Sequence, residues 1–397
     1  MLSELCMELI LAIASKASSQ DQKALLAVSK RFRAIIQPYF CASKCVVVNV
    51  TPNTKEFSQL KTLATGNSAW SHCRSLEIAR LEPRQGQEDR MRQYLAPALK
   101  SLANIRTVYL TLDDASACWA QEVVLQSLDR RDGAHELCLV NNLRDQKRFL
   151  TLPSISHLTA LALEGPNSHQ GDFAGWIRQV LRRSPGLKCL RLTRSSLHIG
   201  PILEEEKVRV RDLSIPMADD ALLRYLGSYS GLERLVITKE IRDSGSVLFG
   251  SVIPRHTESL RVLSCSGYEG GTCNFTVDKI ALISQLAKLE TLEMSVNADW
   301  QSLRVLEHSN LKKTIEAFLE MVGEMPALRS IGIVPAYNDD SACGRSNMAL
   351  TRGAMNQIDK VFQTFKGTTL TEKSAVGRLI ETHHRYARIW RNNNGFW

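Results

Sequence analysis

Residues Leu187–Leu192 read Leu-Lys-Cys-Leu-Arg-Leu, the clearest instance of an L-x-x-L-x-L frame in this 397-residue chain. Successive side chains of an extended strand point to opposite faces, so Leu190 and Leu192 point to the same side. The frame therefore predicts a short strand that has one apolar face and one polar face.

The same frame recurs along the chain, with Ile, Val, Met or Cys in place of some leucines. The other clear copies are Leu158, Leu161, Leu163; Val210, Leu213, Ile215; Leu232, Leu235, Ile237; Leu260, Leu263, Cys265; Leu289, Leu292, Met294; and Leu328, Ile331, Ile333. Weaker copies precede them at Leu76, Ile78; at Ile105, Val108, Leu110; and at Leu137, Leu139. Successive copies are 22 to 39 residues apart. Self-similarity at such a spacing is typical of repeat architectures.

Helical patterns lie between the frames. They cover Asp89–Leu102, Phe173–Arg183, Asp219–Tyr229, Val277–Leu286 and Lys312–Met325. In the last of these, Ile315, Phe318, Leu319 and Val322 fall on one helical face. Each unit is thus predicted to be a strand followed by a helix, stabilised by stacking on its neighbours.

The segment from Leu76 to Ile333 resembles the leucine-rich-repeat family in its longer strand–helix form. The resemblance implies an α/β solenoid with parallel strands on a concave face and helices on a convex face. Ser195 stands where the family consensus has Asn or Cys. An ordinary α/β domain with leucine-rich strands remains the alternative, because its strand–helix spacing is similar.

The amino-terminal residues predict a separate helical piece. The first helix is predicted to have a core stripe along Leu5, Leu9 and Ile13, with further apolar side chains at Met7, Ile10 and Leu11 on other faces, which is more than one face can bury. Two short helices are predicted to follow, one over residues 22–28 capped by Asp21 and one over residues 30–37 that ends before Pro38. A piece of about forty residues is marginally stable alone, so a partner or docking on the repeats is expected.

This stretch resembles an F-box of the kind found before leucine-rich repeats. The matching residues are Glu4, Leu5, Leu9, Ile10, Ile13, Asp21, Leu25, the run Val28–Arg33, and Pro38. The resemblance implies docking on a Skp-type adaptor of a cullin-based ubiquitin ligase. The adaptor-facing or supporting residues that it implies are Leu5, Leu9, Ile10, Leu25, Val28 and Phe32. A helical cap that shields the first repeat is the alternative reading of the same helices.

Composition points to a folded intracellular protein, either cytoplasmic or nuclear. Hydrophobic residues make up 44% and charged residues 23% of the chain, and no apolar stretch is long enough to cross a bilayer. The ten cysteines form no CxxC pair, and the set Cys41, Cys45, His72 and Cys73 misses the usual zinc spacings. We therefore expect no metal, no cofactor and no disulfide framework.

The sequence carries no recognisable catalytic motif. A nucleophile elbow, a phosphate loop, a dinucleotide fingerprint and a zincin helix are all missing, which predicts a protein that is not an enzyme. The net charge is +9, and the segment Lys366–Trp397 holds six Lys or Arg against two acidic residues, with aromatic residues interleaved. A basic aromatic segment is compatible with nucleic-acid binding, although a terminal cap explains it better.

These patterns predict three parts: an F-box-like module at residues 1–42, a solenoid at residues 43–366 and a basic aromatic helix or cap at residues 367–397. The predicted function is substrate recognition in a Skp-cullin-F-box type ubiquitin ligase. A non-ubiquitin interaction scaffold and a nucleic-acid-associated protein are the alternatives. Residues that point away from the leucine interior form the predicted concave target-binding face. They are Tyr109, Thr111, Glu164, Arg191, Thr193, Ser214, Arg234, Thr238, Glu293 and Ser295.

Overall fold

The computed structural model describes the chain in segments, and these form two compact units, Met1–Ile215 and Pro216–Trp397. The described segments are residues 6–42, 44–51, 56–66, 70–130, 135–143, 152–153, 155–165, 171–193, 198–238, 244–267, 271–297, 310–336 and 355–365. The predicted basic cap at 367–397 lies outside them. Within these segments no helix has the length and apolar character needed to span a membrane.

The first unit begins with three helices: α1 (Met7–Lys16), α2 (Ser19–Val28) and α3 (Lys30–Ala42). Ile10, Ala14, Phe32 and Ile36 form their common core, and each of these residues is at most 2% exposed. The Gln22 amide donates hydrogen bonds to the carbonyl oxygens of Ala14 (2.8 Å) and Ala17 (3.2 Å), which satisfies the open end of α1.

Two helix boundaries differ from the sequence prediction. Ser18, not Asp21, caps α2, because its hydroxyl oxygen accepts a hydrogen bond from the Asp21 backbone N–H at 3.2 Å. Helix α3 continues through Pro38 to Ala42. Proline removes one helical hydrogen bond, but Ile36 and Phe40 on either side pack into the helical core, and this packing outweighs the lost bond.

Seven parallel strands follow in the first unit, each hydrogen-bonded to the next along the chain. They are β1 (Cys45–Val50), β2 (Ser75–Leu81), β3 (Thr107–Leu112), β4 (His135–Asn141), β5 (Leu158–Glu164), β6 (Cys189–Leu192) and β7 (Asp212–Ile215). The described helices between them are α4 (Glu56–Ala64), a 3-10 turn (Trp70–His72), α5 (Glu88–Ser101), α6 (Cys118–Asp129), α7 (Gly171–Arg183) and α8 (Ile199–Glu205). Helix α5 packs against both α4 and α6, so these helices form a layer of their own.

The predicted leucine interior is present in this unit. Strand register places seven aliphatic side chains side by side, and each is at most 2% exposed. They are Val46, Leu76, Val108, Leu137, Leu161, Leu190 and Leu213. The frame thus supplies one buried row that runs through every strand of the unit.

The second unit has the same construction on a smaller scale. Its four parallel strands are β8 (Arg234–Ile237), β9 (Val262–Cys265), β10 (Thr291–Val296) and β11 (Ser330–Pro335), again in chain order. Its described helices are α9 (Asp220–Gly227), α10 (Ser244–Val247, continuing through a π-helical segment Leu248–Val252 to Ile253–Arg255), α11 (Ile280–Ile283, after a 3-10 turn Val277–Lys279), α12 (Asn310–Gly323) and residues 355–364. Leu235, Leu263 and Leu292 form its fully buried row.

The order of the strands distinguishes the predicted repeat architecture from the alternative, an ordinary α/β domain with leucine-rich strands. In a doubly wound α/β domain the strand order reverses at a switch point, with helices on both faces. Within each unit every strand instead pairs with its predecessor and successor in the chain. The predicted α/β strand–helix repeat is therefore confirmed for each unit.

Candidate functional site

Two surfaces of the first unit carry the residues that the sequence singled out, and the first is on the amino-terminal helices. Leu9 and Ile13 are 46% and 41% exposed, and they lie one turn apart on α1. Val28, at the end of α2, is 52% exposed. The exposure of Leu9 and Ile13 corrects the predicted core stripe, because α1 faces the helical core with Ile10 and Ala14 instead. We call Leu9, Ile13 and Val28 the exposed apolar set.

The remaining predicted adaptor residues have supporting positions. Ile10 and Phe32 are buried in the helical core, and Leu25 packs against that core while partly exposed. Leu5 lies outside the described residues. The sequence therefore mixed two kinds of residue, those that build the helical module and those that the module presents to solvent.

The exposed apolar set is energetically unfavourable for an isolated chain. Burying a leucine or isoleucine side chain is worth about 1.5–3 kcal/mol relative to leaving it in water. Leu9 and Ile13 forgo much of that gain, while Ile10 and Ala14 on the neighbouring face of the same helix are fully buried. A second protein that covers Leu9 and Ile13 would gain the free energy of burying these two side chains.

The second surface is the strand face opposite the leucine interior. Register aligns a row of side chains across all seven strands of the first unit. The row consists of Val47, Glu77, Tyr109, Cys138, Ala162, Arg191 and Ser214. Three predicted target-binding residues, Tyr109, Arg191 and Ser214, belong to it and are partly exposed. We call this surface the strand face.

The other predicted residues of the first unit lie beside that row. Thr111 on β3 and Glu164 on β5 are linked by register through Val140 on β4. Thr193 follows β6 and is exposed, with its backbone N–H donating to the Leu163 carbonyl at 3.1 Å. The structure therefore brings Tyr109, Thr111, Glu164, Arg191, Thr193 and Ser214 onto one surface.

The strand face carries a tight, largely buried ion pair between Arg191 and Asp212. The Arg191 guanidinium donates to the Asp212 carboxylate at 2.7 Å, and the two side chains are 12% and 9% exposed. Burial raises the pKa of the neighbouring Cys189 thiol to about 12, and Asp212 adds to this effect. Cys189 is therefore a protonated thiol at neutral pH, and the local charge belongs to the Arg191–Asp212 pair.

The strand face also carries carboxylates and a tyrosine. Glu136 accepts a hydrogen bond from the Thr107 hydroxyl at 3.0 Å, and Glu164 accepts one from the Cys138 thiol at 3.9 Å. Burial raises the pKa of Tyr109, and nearby groups including Glu136 and Glu77 add to the shift. Tyr109 thus remains an uncharged phenol, suited to apolar contact and hydrogen bonding in a binding surface.

In the second unit, the predicted face residues divide into two groups. Arg234 and Glu293 are partly exposed, and Thr238 is exposed. Ser295 instead is fully buried, which corrects the expectation that it is available to a target. Its hydroxyl accepts from the Gly267 backbone N–H at 2.7 Å and donates to the Asn274 side-chain oxygen at 2.5 Å. The chain around Asn274 covers Ser295 at this end of β10.

Three cysteines of the group noted in the sequence, Cys41, Cys45 and Cys73, lie close enough to influence one another. Cys41 and Cys73 are linked by a thiol hydrogen bond, and burial raises the pKa of Cys73 to about 11. Over the part of the chain that the structure describes, no group of three or more His, Cys, Asp or Glu is placed to hold a metal ion.

A cleft near the first strands was not predicted from the sequence. Its volume is about 690 Å³. Its lining residues come from helices α1 and α3 and from the turns before β2 and β3. They are Leu11, Ile35, Pro38, Tyr39, Ala42, His72, Arg74, Asn104 and Arg106. We call it the basal cleft.

Comparison with known proteins gives little at the level of sequence. No family model matches the chain, and no curated protein matches it. Among solved structures, 25 chains match. One is from the crystal structure of the yeast Rad7 and Elc1 complex, with 13% sequence identity and a TM-score of 0.41 over 85% of this chain and 88% of that chain. The fold and its surfaces define a strand–helix repeat protein that begins with a three-helix module.

Proposed function

We propose that the chain is a substrate-recognition adaptor of a Skp-cullin-F-box type ubiquitin ligase. The three-helix module docks on the Skp-type adaptor, and the strand face binds a protein target. The chain has no active site of its own in this proposal, and the ubiquitin-transfer chemistry belongs to other subunits. Such a protein acts in the cytoplasm or the nucleus.

The exposed apolar set is the observation that carries the proposal. Leu9, Ile13 and Val28 lie on a small module whose own core is already complete with Ile10, Ala14, Phe32 and Ile36. Exposed apolar side chains grouped on a folded module, such as Leu9 and Ile13 one turn apart on α1, are typical of protein–protein contact sites. Their place within the stretch that resembles an F-box supports an adaptor as the partner.

The strand face supports the second half of the proposal. Parallel strands in chain order present side chains at regular spacing over a long surface, which suits binding of an extended or folded protein target. Tyr109 is the aromatic residue of the central row; Glu77 is its register neighbour on β2, and Glu136 lies two residues before its partner Cys138 on β4. Aromatic residues surrounded by polar groups are frequent at the centre of protein interfaces.

Co-purification with a Skp-type adaptor tests the proposal. Leu9→Asp places a charge in the apolar contact and is expected to abolish the association. Gln20→Asp is the matched control, because it adds the same charge to an exposed polar position of the same module. Thermal unfolding of both variants checks that the module remains folded.

The outcomes separate an adaptor from an interaction scaffold. Retention of the adaptor by wild type and Gln20→Asp, with loss in Leu9→Asp, is the expected result. No retention by the wild type, or equal retention by all three proteins, would contradict the ligase proposal. The first helices would then act as the cap of a scaffold.

A further inference from the structure

The basal cleft has two chemically different sides. Leu11, Ile35, Pro38, Tyr39 and Ala42 form an apolar side, while His72, Arg74, Asn104 and Arg106 form a polar one. Its volume of about 690 Å³ lies within the usual range of ligand pockets, about 300–1,000 Å³. A ligand that fits must itself combine an apolar group with a polar or charged group.

The apolar side is separate from the exposed apolar set. Two residues along an α-helix turn by about 200°, so Leu11 points away from both Leu9 and Ile13. Tyr39 is 40% exposed at the cleft, although its ring is large and apolar. Binding in the basal cleft therefore leaves Leu9 and Ile13 free for another partner.

The polar side of the basal cleft carries two exposed arginines. Arg74 and Arg106 directly precede β2 and β3, and the Arg106 backbone N–H donates to the Arg74 carbonyl at 2.8 Å. Adjacent strands are about 4.8 Å apart, so the two side chains start from neighbouring positions at one edge of the sheet. Both residues are exposed, and neither forms an ion pair with an acidic side chain of the described residues.

We propose that the basal cleft binds an acidic peptide segment of a partner protein, in which carboxylates flank an apolar side chain. The apolar side chain packs against Leu11, Ile35 and Tyr39. The carboxylates pair with the Arg74 and Arg106 guanidinium groups, which bind carboxylates in a two-pronged geometry. The proposal does not depend on adaptor docking, because the two use opposite sides of α1.

A peptide fits these observations better than a nucleic acid does. Single-stranded nucleic acid is held by aromatic side chains on which successive bases stack, beside a basic groove. Tyr39 is the large aromatic residue among those that line the basal cleft. The other apolar lining residues, Leu11, Ile35, Pro38 and Ala42, are aliphatic. Charge complementarity with an aliphatic wall therefore favours an acidic peptide.

Fluorescence anisotropy with the full-length chain tests the proposal. The probe is a fluorescein-labelled peptide with a Leu-Phe pair between acidic flanks. The comparison peptides carry lysine flanks or a Ser-Ser centre. We expect the acidic Leu-Phe peptide to bind, and the two comparison peptides to bind at least about tenfold more weakly, which corresponds to about 1.4 kcal/mol.

Charge reversal in the protein supplies the matched variants. Arg74→Glu with Arg106→Glu is expected to weaken peptide binding by at least about tenfold, because repulsion replaces attraction. Lys188→Glu is the control, since Lys188 is exposed directly before β6 and occupies the corresponding ladder position away from the cleft. Tyr39→Ser tests the apolar side independently of charge, and thermal unfolding verifies folding of each variant.

Several results would overturn the proposal. One is failure of the acidic Leu-Phe peptide to bind the wild type. Another is an equal loss in Lys188→Glu, which would mean that net charge alone matters. Equal binding of the Ser-Ser peptide would show that the apolar side of the cleft does not contribute to binding. Tighter binding of a labelled oligonucleotide that also depends on Arg74 and Arg106 would identify nucleic acid as the ligand. If the double variant does not fold, Arg74→Gln and Arg106→Gln singly replace it, with the same expected direction.

Discussion

The two units satisfy their buried ionisable side chains differently around a similar leucine row. In the first unit, the row from Val46 to Leu213 is entirely aliphatic, and the buried Asp212 carboxylate is paired with the Arg191 guanidinium at 2.7 Å. In the second unit, the ionisable groups of His256 and Lys279 are buried and are satisfied by backbone groups. Both units therefore bury ionisable groups, but those of the second unit have backbone partners, and a change in the protonation of His256 should change the stability of that unit.

The apolar row should give the largest stability effect. Leu190→Ala removes a fully buried side chain from the row, where it lies between Leu161 and Leu213. The lost burial and the cavity should lower the free energy of unfolding by about 2–5 kcal/mol. Urea unfolding measures it, with Lys188→Ala as the exposed control. A change no larger than that of Lys188→Ala would contradict the shared interior.

Lys279 tests how much a buried charged side chain contributes to the stability of the second unit. Its ammonium donates to the carbonyl oxygens of Thr272, at 2.7 Å, and Asn274, and it lies 4.7 Å from the centre of the Phe249 ring. Lys279→Met leaves these carbonyls without that donor and should cost about 1–3 kcal/mol. Lys288→Met, at an exposed position, is the control. Equal unfolding midpoints for the two variants would show that Lys279 adds nothing.

His256 should make stability pH-dependent. Its Nε2 lies 3.0 Å from the Leu226 carbonyl oxygen, and its Nδ1 accepts from the Leu232 N–H at 3.2 Å, so the neutral ring fits the site. Burial lowers the pKa of His256 in the folded chain. The unfolded chain therefore binds more protons once the pH falls below about 6.5, and stability declines there.

His256 can change the free energy of unfolding by at most about 1.4 kcal/mol per pH unit, which is the limit for one proton. Urea unfolding between neutral and mildly acidic pH measures the slope. In His256→Gln this part of the decline should disappear, since glutamine keeps a donor and an acceptor without titrating. An unchanged slope in the variant would assign the pH dependence to other groups.

An exposed ion pair should have the smallest effect. Arg178 and Glu205 lie 3.1 Å apart, with side chains 41% and 55% exposed. Solvent screening limits such a pair to less than about 1 kcal/mol, so Arg178→Ala should barely move the unfolding midpoint. A loss as large as that of Leu190→Ala would reverse the ranking of apolar packing over surface charge.

The leucine frame was predictable because it is periodic and its physical cause is local. Leu190 and Leu192 must share a face once the segment is extended, and stacking follows from that. Strand β1 was missed because Val46, Val48 and Val50 alternate without the leading leucine of the frame. Its edge position in the sheet depends on pairing with β2, which no local pattern encodes.

Residues whose surroundings come from distant parts of the chain could not be predicted. The alternation of strand β10 predicts that Ser295 lies on the outward face. The segment around Asn274, 21 residues earlier in the chain, covers it. The basal cleft joins Tyr39 to Arg106 across several elements. The exposed apolar set was only partly predicted, because one amphipathic stripe cannot tell Leu9 at the surface from Ile10 in the core.

Hydrogen–deuterium exchange of the full chain with and without a Skp-type adaptor tests the central claim most directly. Docking through Leu9, Ile13 and Val28 predicts slower exchange of backbone amides in α1 and α2, with unchanged exchange in strands β3–β6. Slower exchange confined to the strands, or no change in α1 and α2 at saturating adaptor, would contradict the proposed docking.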